Sequence, residues 1–411
     1  MRYESDGLIL IEDGLITASG SYSALRDQCN DHEFVHYPDA LIVPGFIDTH
    51  VHYPQTQIIG SYGNQLIDWL NEYTFVAEQQ FADSGHAERV SELFLQQCLR
   101  VGTTTAAVFC TVHSASVLAF LKTAHRHNMR MIAGKVLMDR NAPAALTDTA
   151  QSGYDDSEAL IQEWHGHGRL SYAITPRFAP SSSPAQLEAA GALRRRYPET
   201  YVQTHLSENQ HEVEWVRQLF PERQNYLDVY AHYGLTGPRC IFGHAIHLQE
   251  AEWQHLSESG SAIAHCPTSN AFLGSGLFDF ARAKDPESPV RLGLASDVGA
   301  GTTLSLLQTM GAAYKIGQLG HHPLSALKAL YLATRGAAEA LYLEDKIGSI
   351  APGIEADLVV LNLRSTPLIE FRMQHCETIQ EVLFVQMTMA DDRATQAVYV
   401  AGKLAYTNDA H

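Results

Sequence analysis

Eight short apolar segments, each followed by a polar or helix-like stretch, constrain this chain more than any other feature. They begin near Leu41 (LIVPGFIDTH), Thr103 (TTTAAVFC), Met129 (MRMIAGKVLMD) and Leu170 (LSYAITPRFAP), and continue near Tyr201 (YVQTHLSE), Cys240 (CIFGHAIHL), Ser261 (SAIAHCPTSN) and Val290 (VRLGLASDVG). Each is rich in Val, Ile, Ala and Thr and lacks strict polar alternation, which is how a strand buried on both faces reads. The stretches between carry helical spacing. In AERVSELFLQQCLRVG from Ala87, apolar residues fall at 90, 93, 94, 98 and 101, and Gly102 stands as a stop. SPAQLEAAGALRRRY from Ser183 and the segment from Glu208 through EVEWVRQLF read the same way. Strand–helix alternation eight times over predicts an α/β fold whose parallel sheet closes into a (β/α)8 TIM-type barrel. An open, doubly wound sheet is the competing arrangement.

The two ends read differently. LILIEDGLITASG, within residues 1–43, is a strand–turn–strand pattern with Glu12-Asp13-Gly14 at the turn. DLVVLNL and AVYVAGKLAY, within residues 351–411, repeat that character. The ends are expected to meet in a small flanking β-sandwich module beside a barrel of residues 44–350. A barrel of about 250 residues plus such a module suits the chain length.

The balance of 28 Lys+Arg against 46 Asp+Glu gives a net charge of −18. Such a surface repels phosphate backbones and anionic lipid, so neither nucleic acid nor a membrane is an expected partner. No run of about 18 apolar residues reads as a membrane span. Six cysteines, at 29, 98, 110, 240, 266 and 376, form no CxxC pair, which points to free thiols in a reducing compartment. The N-terminus is too acidic and polar for a signal peptide, so the expected address is the cytoplasm.

In a (β/α)8 barrel the site lies at the C-terminal ends of the strands. The first segment ends in His50-Val51-His52, and residues i and i+2 of an extended chain point to one side. The fifth ends at His205, the sixth at His244 and the eighth at Asp297. These side chains carry N or O donors suited to a divalent transition ion. Alone, an HxH pair among 21 histidines carries little, and a strand-end Asp reads as a helix cap. The shared placement at strand ends is what marks a metal site. Glu208 follows His205 by three residues, where a carboxyl can shuttle a proton between water and substrate. A helix-capping glutamate reads the same way. His375-Cys376-Glu377 matches the HxE found in zinc deaminases acting on nucleotides, but no later cysteine completes that set.

PGFIDTHVH at 44–52, THLSE at 204–208, GH at 243–244 and SD at 296–297 resemble the amidohydrolase superfamily over nearly the whole chain. The resemblance implies His50, His52, His205 and Asp297 as the ligands of a one-metal site. That site would hold one zinc ion per chain, or iron(II), which suits the same donors. Two-metal members carry a bridging lysine at the end of strand four. Here that end reads Thr175-Pro176-Arg177-Phe178, and Lys135 lies in strand three.

Within the superfamily, Gln55, WLNEYTFVAE at 69–78, MDRN at 138–141, TPRFAPS at 175–181, QTHLSEN at 203–209 and HCPTSNAFLGSGLF at 265–278 resemble the guanine deaminases. That resemblance implies a homodimer that hydrolyses guanine to xanthine and ammonia. It implies base contacts from Gln55, Arg177 and Phe178. Phe178 can stack on the ring face, Arg177 donate to the C6 carbonyl, and Gln55 donate to a ring nitrogen. In the expected reaction a metal-activated hydroxide attacks C2. Glu208 carries a proton to N3 and helps ammonia leave. Asp297 accepts the water proton, and His244 holds the water and stabilises the tetrahedral intermediate. His113 and His265, also near strand ends, are expected in supporting places. The alternatives are a deaminase of cytosine, an adenosine derivative or a triazine, and a catalytically silent scaffold.

Overall fold

Strands buried on both faces need helices outside them, and the chain satisfies this by winding strand and helix in turn. The structure, a computed structural model, describes residues 2–29, 33–63 and 65–408. The strands in chain order are β1 (Gly7–Glu12), β2 (Leu15–Ser21), β3 (Ala40–Pro44), β4 (Phe46–His52) and β5 (Thr103–Phe109). Next come β6 (Arg130–Gly134), β7 (Val136–Leu137), β8 (Ser171–Pro176), β9 (Tyr201–Leu206) and β10 (Cys240–His244). Then follow β11 (Ala262–His265), β12 (Arg291–Leu294), β13 (Leu358–Asn362), β14 (Thr395–Val400) and β15 (Lys403–Thr407). The parallel order β12-β11-β10-β9-β8-β6-β5-β4, with β7 beside β8, is the eight-stranded barrel expected from the alternation. All residues of β4 and β5 are buried, as segments without strict polar alternation are expected to be.

Helix limits follow their caps. Asp83 accepts from His86 N at 2.6 Å and starts the helix Ser84–Arg100. Gly102, just past that helix, holds φ +83° and ends it as anticipated. Ser183 caps Pro184–Arg196.

The chain ends come together in two antiparallel sheets. One is the hairpin β1-β2; the other has the order β15-β14-β13-β3. They share a small apolar core of Ile16, Ala356 and Leu358. Parts of the expected module at residues 1, 30–32 and 409–411 lie outside the described residues.

Three details depart from the sequence reading. The segment LIVPGFIDTH is two strands, not one. At Gly45 the chain leaves β3, antiparallel to β13, and enters the barrel as β4. Gly45 donates to Asp357 O at 2.7 Å, and a Cβ there would lie 2.2 Å from Thr104 Oγ1, so only glycine fits the crossing. The third apolar segment is likewise interrupted at Lys135, whose ammonium pairs with Asp148 inside the protein. Finally, two helices, Pro367–Met373 and Ile379–Met389, separate β13 from β14, and the second packs against the helix Leu306–Leu319.

Arg130 begins β6, and Arg169 lies two residues before β8. Both reach the turn that enters β13. Arg130 Nε donates to Glu355 Oε2 at 3.0 Å, and Arg169 Nη2 donates to Glu355 Oε2 at 2.5 Å and to Asp357 Oδ2 at 2.6 Å. Burial opposes the charge on Glu355, but the two guanidiniums outweigh it and hold the carboxyl below its ordinary value. A depressed acid pKa gives stability that is present above the unfolded-state value and is lost as pH falls through the folded-state value. Glu355→Gln should therefore lower stability at pH 7 by about 3 kcal/mol, since one partner of a buried pair is removed. In thermal melts the gap from wild type should shrink at a pH low enough to protonate Glu355. An equal gap at both pH values would contradict this account.

Candidate active site

The first and last barrel strands meet through individual bonds. Thr49 Oγ1 donates to Leu294 O at 2.9 Å. Ser296 N donates to Asp48 Oδ1 at 3.0 Å, and the Ser296 hydroxyl binds the other oxygen of Asp48. Above these, Asp297 N donates to His50 O and His52 N donates to Val298 O, each at 2.9 Å. The bonds that close the barrel thus hold His50, His52 and Asp297 side by side.

The side chains converge. Nε2 of His50 and of His52 lie 3.2 and 3.4 Å from Asp297 Oδ1. His205, from β9, brings its Nε2 to 3.2 Å from that of His52, while its Nδ1 donates to Arg177 O at 2.6 Å. The donor atoms of His50, His52, His205 and Asp297 all lie within 4.8 Å of one another. Gly243 makes room for this set, because a Cβ there would stand 2.9 Å from the His50 ring.

Burial lowers His52 to about 3 and drives His205 well below its ordinary value, so both rings are neutral near pH 7. Burial opposes the charge on Asp297, but His244, His50 and His52 hold its carboxyl well below the ordinary value. Neutral imidazole lone pairs aimed at one another around a carboxylate fit a divalent cation. A second grouping, of His50, His244, Asp297 and Cys266, is geometrically close. Burial pushes the Cys266 thiol well up, so that side chain stays protonated and is the poorer donor.

His244 ends β10 with φ 71°, and Asp297 has φ 49°. Both backbones sit in the left-handed region that non-glycine residues rarely adopt. The His244 ring donates from Nδ1 to Asn270 Oδ1 at 2.9 Å. Its Nε2 lies 3.4 Å from Glu208 Oε2 and 3.7 Å from Asp297 Oδ2.

Glu208 is not part of a helix. The helix begins at Gln210, and Asn209 and Glu212 form its capping box. The Glu212 carboxylate accepts from the N–H groups of Glu208 and Asn209 at 2.9 and 3.2 Å. Glu212 therefore fills the capping role that the sequence also allowed for Glu208, whose side chain is left to face the cleft. Burial, together with the charges of Asp297 and Glu212, pushes the Glu208 carboxyl well above its ordinary value.

The cleft over this cluster is lined by Gln55, Leu66, Trp69, Leu70, Arg177, Phe178, Leu273 and Ala300 beside the polar residues above. The three residues expected to contact a base thus share one cavity with the metal-type cluster. Elsewhere, His265 is buried against Phe278 and Phe280, and His113 precedes the helix Ser114–Arg126. His375 and Glu377 are exposed.

The amidohydrolase family profile matches residues 41–405. This chain belongs to the amidohydrolase family. The amidohydrolase is 51% identical to the guanine deaminase of Escherichia coli K12 over 99% of this chain and 92% of that protein. The structure of the E. coli enzyme superposes with a TM-score of 0.96 at 50% identity, covering 98% of this chain and 93% of that one. Guanine deaminase from Bradyrhizobium japonicum gives 0.97 at 37% identity, covering 99% and 94%. Guanine deaminase from C. acetobutylicum, with guanine bound in its active site, gives 0.89 at 29% identity, covering 97% and 94%.

The sequence reading gave no role to two buried residues of this amidohydrolase. Asn270 orients His244, and Glu78 touches both Gln55 and Arg177. Glu78 lies inside the quoted WLNEYTFVAE segment, where a charged residue in a helical stretch reads as a solvated face.

If the cluster holds a cation, the ion must stabilise the folded state by mass action. Chelator-stripped protein should gain about 2.7 kcal/mol when Zn2+ is added to 100 times its dissociation constant. Asp297→Ala should lose most of that gain. Melting curves that do not respond to added metal in the wild type would remove the cluster as a metal site.

Proposed function

We propose that this amidohydrolase hydrolyses guanine to xanthine and ammonia. The observation that carries the reading is the shared cavity, in which Gln55, Arg177 and Phe178 face the same space as the His/Asp cluster. The 51% identity to a guanine deaminase across nearly the whole chain supports the same substrate. We assign one divalent ion per chain, zinc or iron(II), to His50, His52, His205 and Asp297. When bound, such an ion supplies Lewis acidity and brings the pKa of a water towards about 7.

The chain's own residues divide the remaining work. Phe178 and the apolar wall of Leu66, Trp69 and Leu70 hold the planar ring and exclude bulk water. Arg177 donates to the C6 carbonyl and Gln55 to a ring nitrogen. These contacts set C2 in front of Asp297, Glu208 and His244.

Asp297, held ionised, accepts a proton from the attacking water. The His244 ring, with its Nδ1–H on Asn270, presents Nε2 to the water and keeps it in line. Glu208, whose carboxyl is held well above its ordinary value, gives its proton to N3 as the water oxygen bonds to C2. Collapse of the tetrahedral carbon breaks the bond to the exocyclic amine. That amine leaves as ammonia with the proton held by Asp297, the proton of the C2 hydroxyl returns to Glu208, and the ring is left as xanthine.

A homodimer in a reducing compartment completes the proposal. Family resemblance supports the dimer, and six cysteines without a disulfide support the compartment.

Purified protein should release ammonia from guanine faster than from cytosine, adenosine or a triazine, and chelation should stop it. Absence of guanine turnover in metal-replete protein would overturn the reading. Glu208→Gln should keep the metal and still bind guanine, while turnover falls at least about 100-fold, the scale of a lost acid–base group. Near-normal turnover in that variant would take Glu208 out of the proton path.

A further inference from the structure

One buried carboxylate has no part in the reaction above, yet it touches two of the three base-facing residues. Glu78 ends the helix Phe75–Glu78 and is fully buried. Both its oxygens accept from Arg177 Nη1, at 2.9 and 2.8 Å. Its Oε1 also accepts from Gln55 Nε2 at 3.1 Å. Gln55 Oε1 in turn accepts from Gly299 N at 3.1 Å.

These bonds fix a pattern. A glutamine amide can sit either way round, and here only one way satisfies both neighbours. The amino group must face the carboxylate, and the oxygen must face the N–H of Gly299. The carboxylate at 78 therefore decides which edge of Gln55 a ligand meets. For Arg177 it occupies Nη1 and leaves Nε and Nη2 without a protein partner among the described residues, on the wall of the cleft. It also compensates a guanidinium that is almost wholly buried, which would otherwise be costly to keep in place.

We propose that Glu78 is the specificity-determining positioning residue of the cleft. Its one carboxylate aims Arg177 and sets the orientation of Gln55, so that the wall presents donors to the carbonyl edge of a purine. Glu78 reaches the base only through these two side chains. The inference rests on the guanine-hydrolysing reading.

A neutral amide at this position has one accepting oxygen instead of two and carries no charge. In Glu78→Gln an oxygen placed as Oε1 can still accept from both, but the amino group placed as Oε2 meets Arg177 Nη1 donor against donor, and the charge that aims Arg177 is gone. The test compares wild type, Glu78→Gln, Arg177→Met and the double variant for guanine kinetics, metal content and Tm. In Glu78→Gln, KM for guanine should rise at least about 10-fold, as for a lost charged hydrogen bond. Metal content should not change, and kcat should stay within about 3-fold, because the loss is in binding.

The double variant should be no worse in KM than Arg177→Met alone. It should also melt above Arg177→Met, because no carboxylate is left buried without its partner. A lower Tm in Glu78→Gln with unchanged KM would mean a purely structural role and would overturn the inference. So would a double variant that loses the product of the two single losses. If Glu78→Gln does not fold, the comparison of Arg177→Met with the double variant decides by the same criterion. A wild type inactive on guanine overturns the functional reading and this inference with it. An active wild type whose Glu78→Gln variant has wild-type KM overturns this inference alone.

Discussion

The architecture depends on how the barrel is closed. Seven of the eight junctions between neighbouring barrel strands are parallel ladders. The eighth, between β4 and β12, is built from the bonds of Asp48, Thr49, His50 and His52 to Leu294, Ser296, Asp297 and Val298. Closing the sheet and assembling the donor cluster are one event. A chain that failed to bring Asp297 N to His50 O would lose both the last junction and the alignment of three donors. The buried Asp48 carboxyl shows what the junction demands. Burial raises it to about 6, and it is held by the hydroxyl and N–H of Ser296 and the N–H of His50. Its partners are His50 on β4 and Ser296, two residues past the end of β12.

Two carboxyls in one cleft illustrate how environment divides labour. Asp297 and Glu208 are both buried, and burial alone would raise both. Asp297 sits among three imidazoles, and their attraction outweighs desolvation. Glu208 faces the carboxylates of Asp297 and Glu212, and their repulsion adds to desolvation. One group is pushed toward its charged form and the other toward its protonated form. The backbone cooperates, since Asn209 and Glu212 cap the following helix and release Glu208 from that task.

Much of this was legible in the sequence because its cause is local. The apolar segments mark strands buried on both faces, and His50-Val51-His52 marks a shared side by the period of an extended chain. What was not legible depends on contacts between distant segments. Nothing in LIVPGFIDTH says that its first half pairs with Leu358–Asn362, so the crossing at Gly45 was hidden. The start of the helix near Glu208 was placed too early because Asn209 and Glu212 compete for the same capping pattern. Glu78 went unassigned because its partners lie 23 and 99 residues away. The helices between β13 and β14 fell in a stretch read only for its strands.

The crossing at Gly45 also has a consequence for the order in which the chain can be built. β3 is an edge strand whose ladder partner, β13, begins at Leu358. During synthesis the adjoining β4 can pair with β5 after only a few dozen residues more, while β3 must wait for almost the entire barrel to emerge. Through that interval an apolar strand, Ala40–Pro44, stands open next to a sheet that is already forming. Such unpaired edges are where nascent chains associate wrongly. Pro44 lacks the N–H that a wrongly added neighbour would need at that position. The closing partnership of β3 with β13 thus comes near the end of folding, and it seals the seam between the first part of the chain and the last.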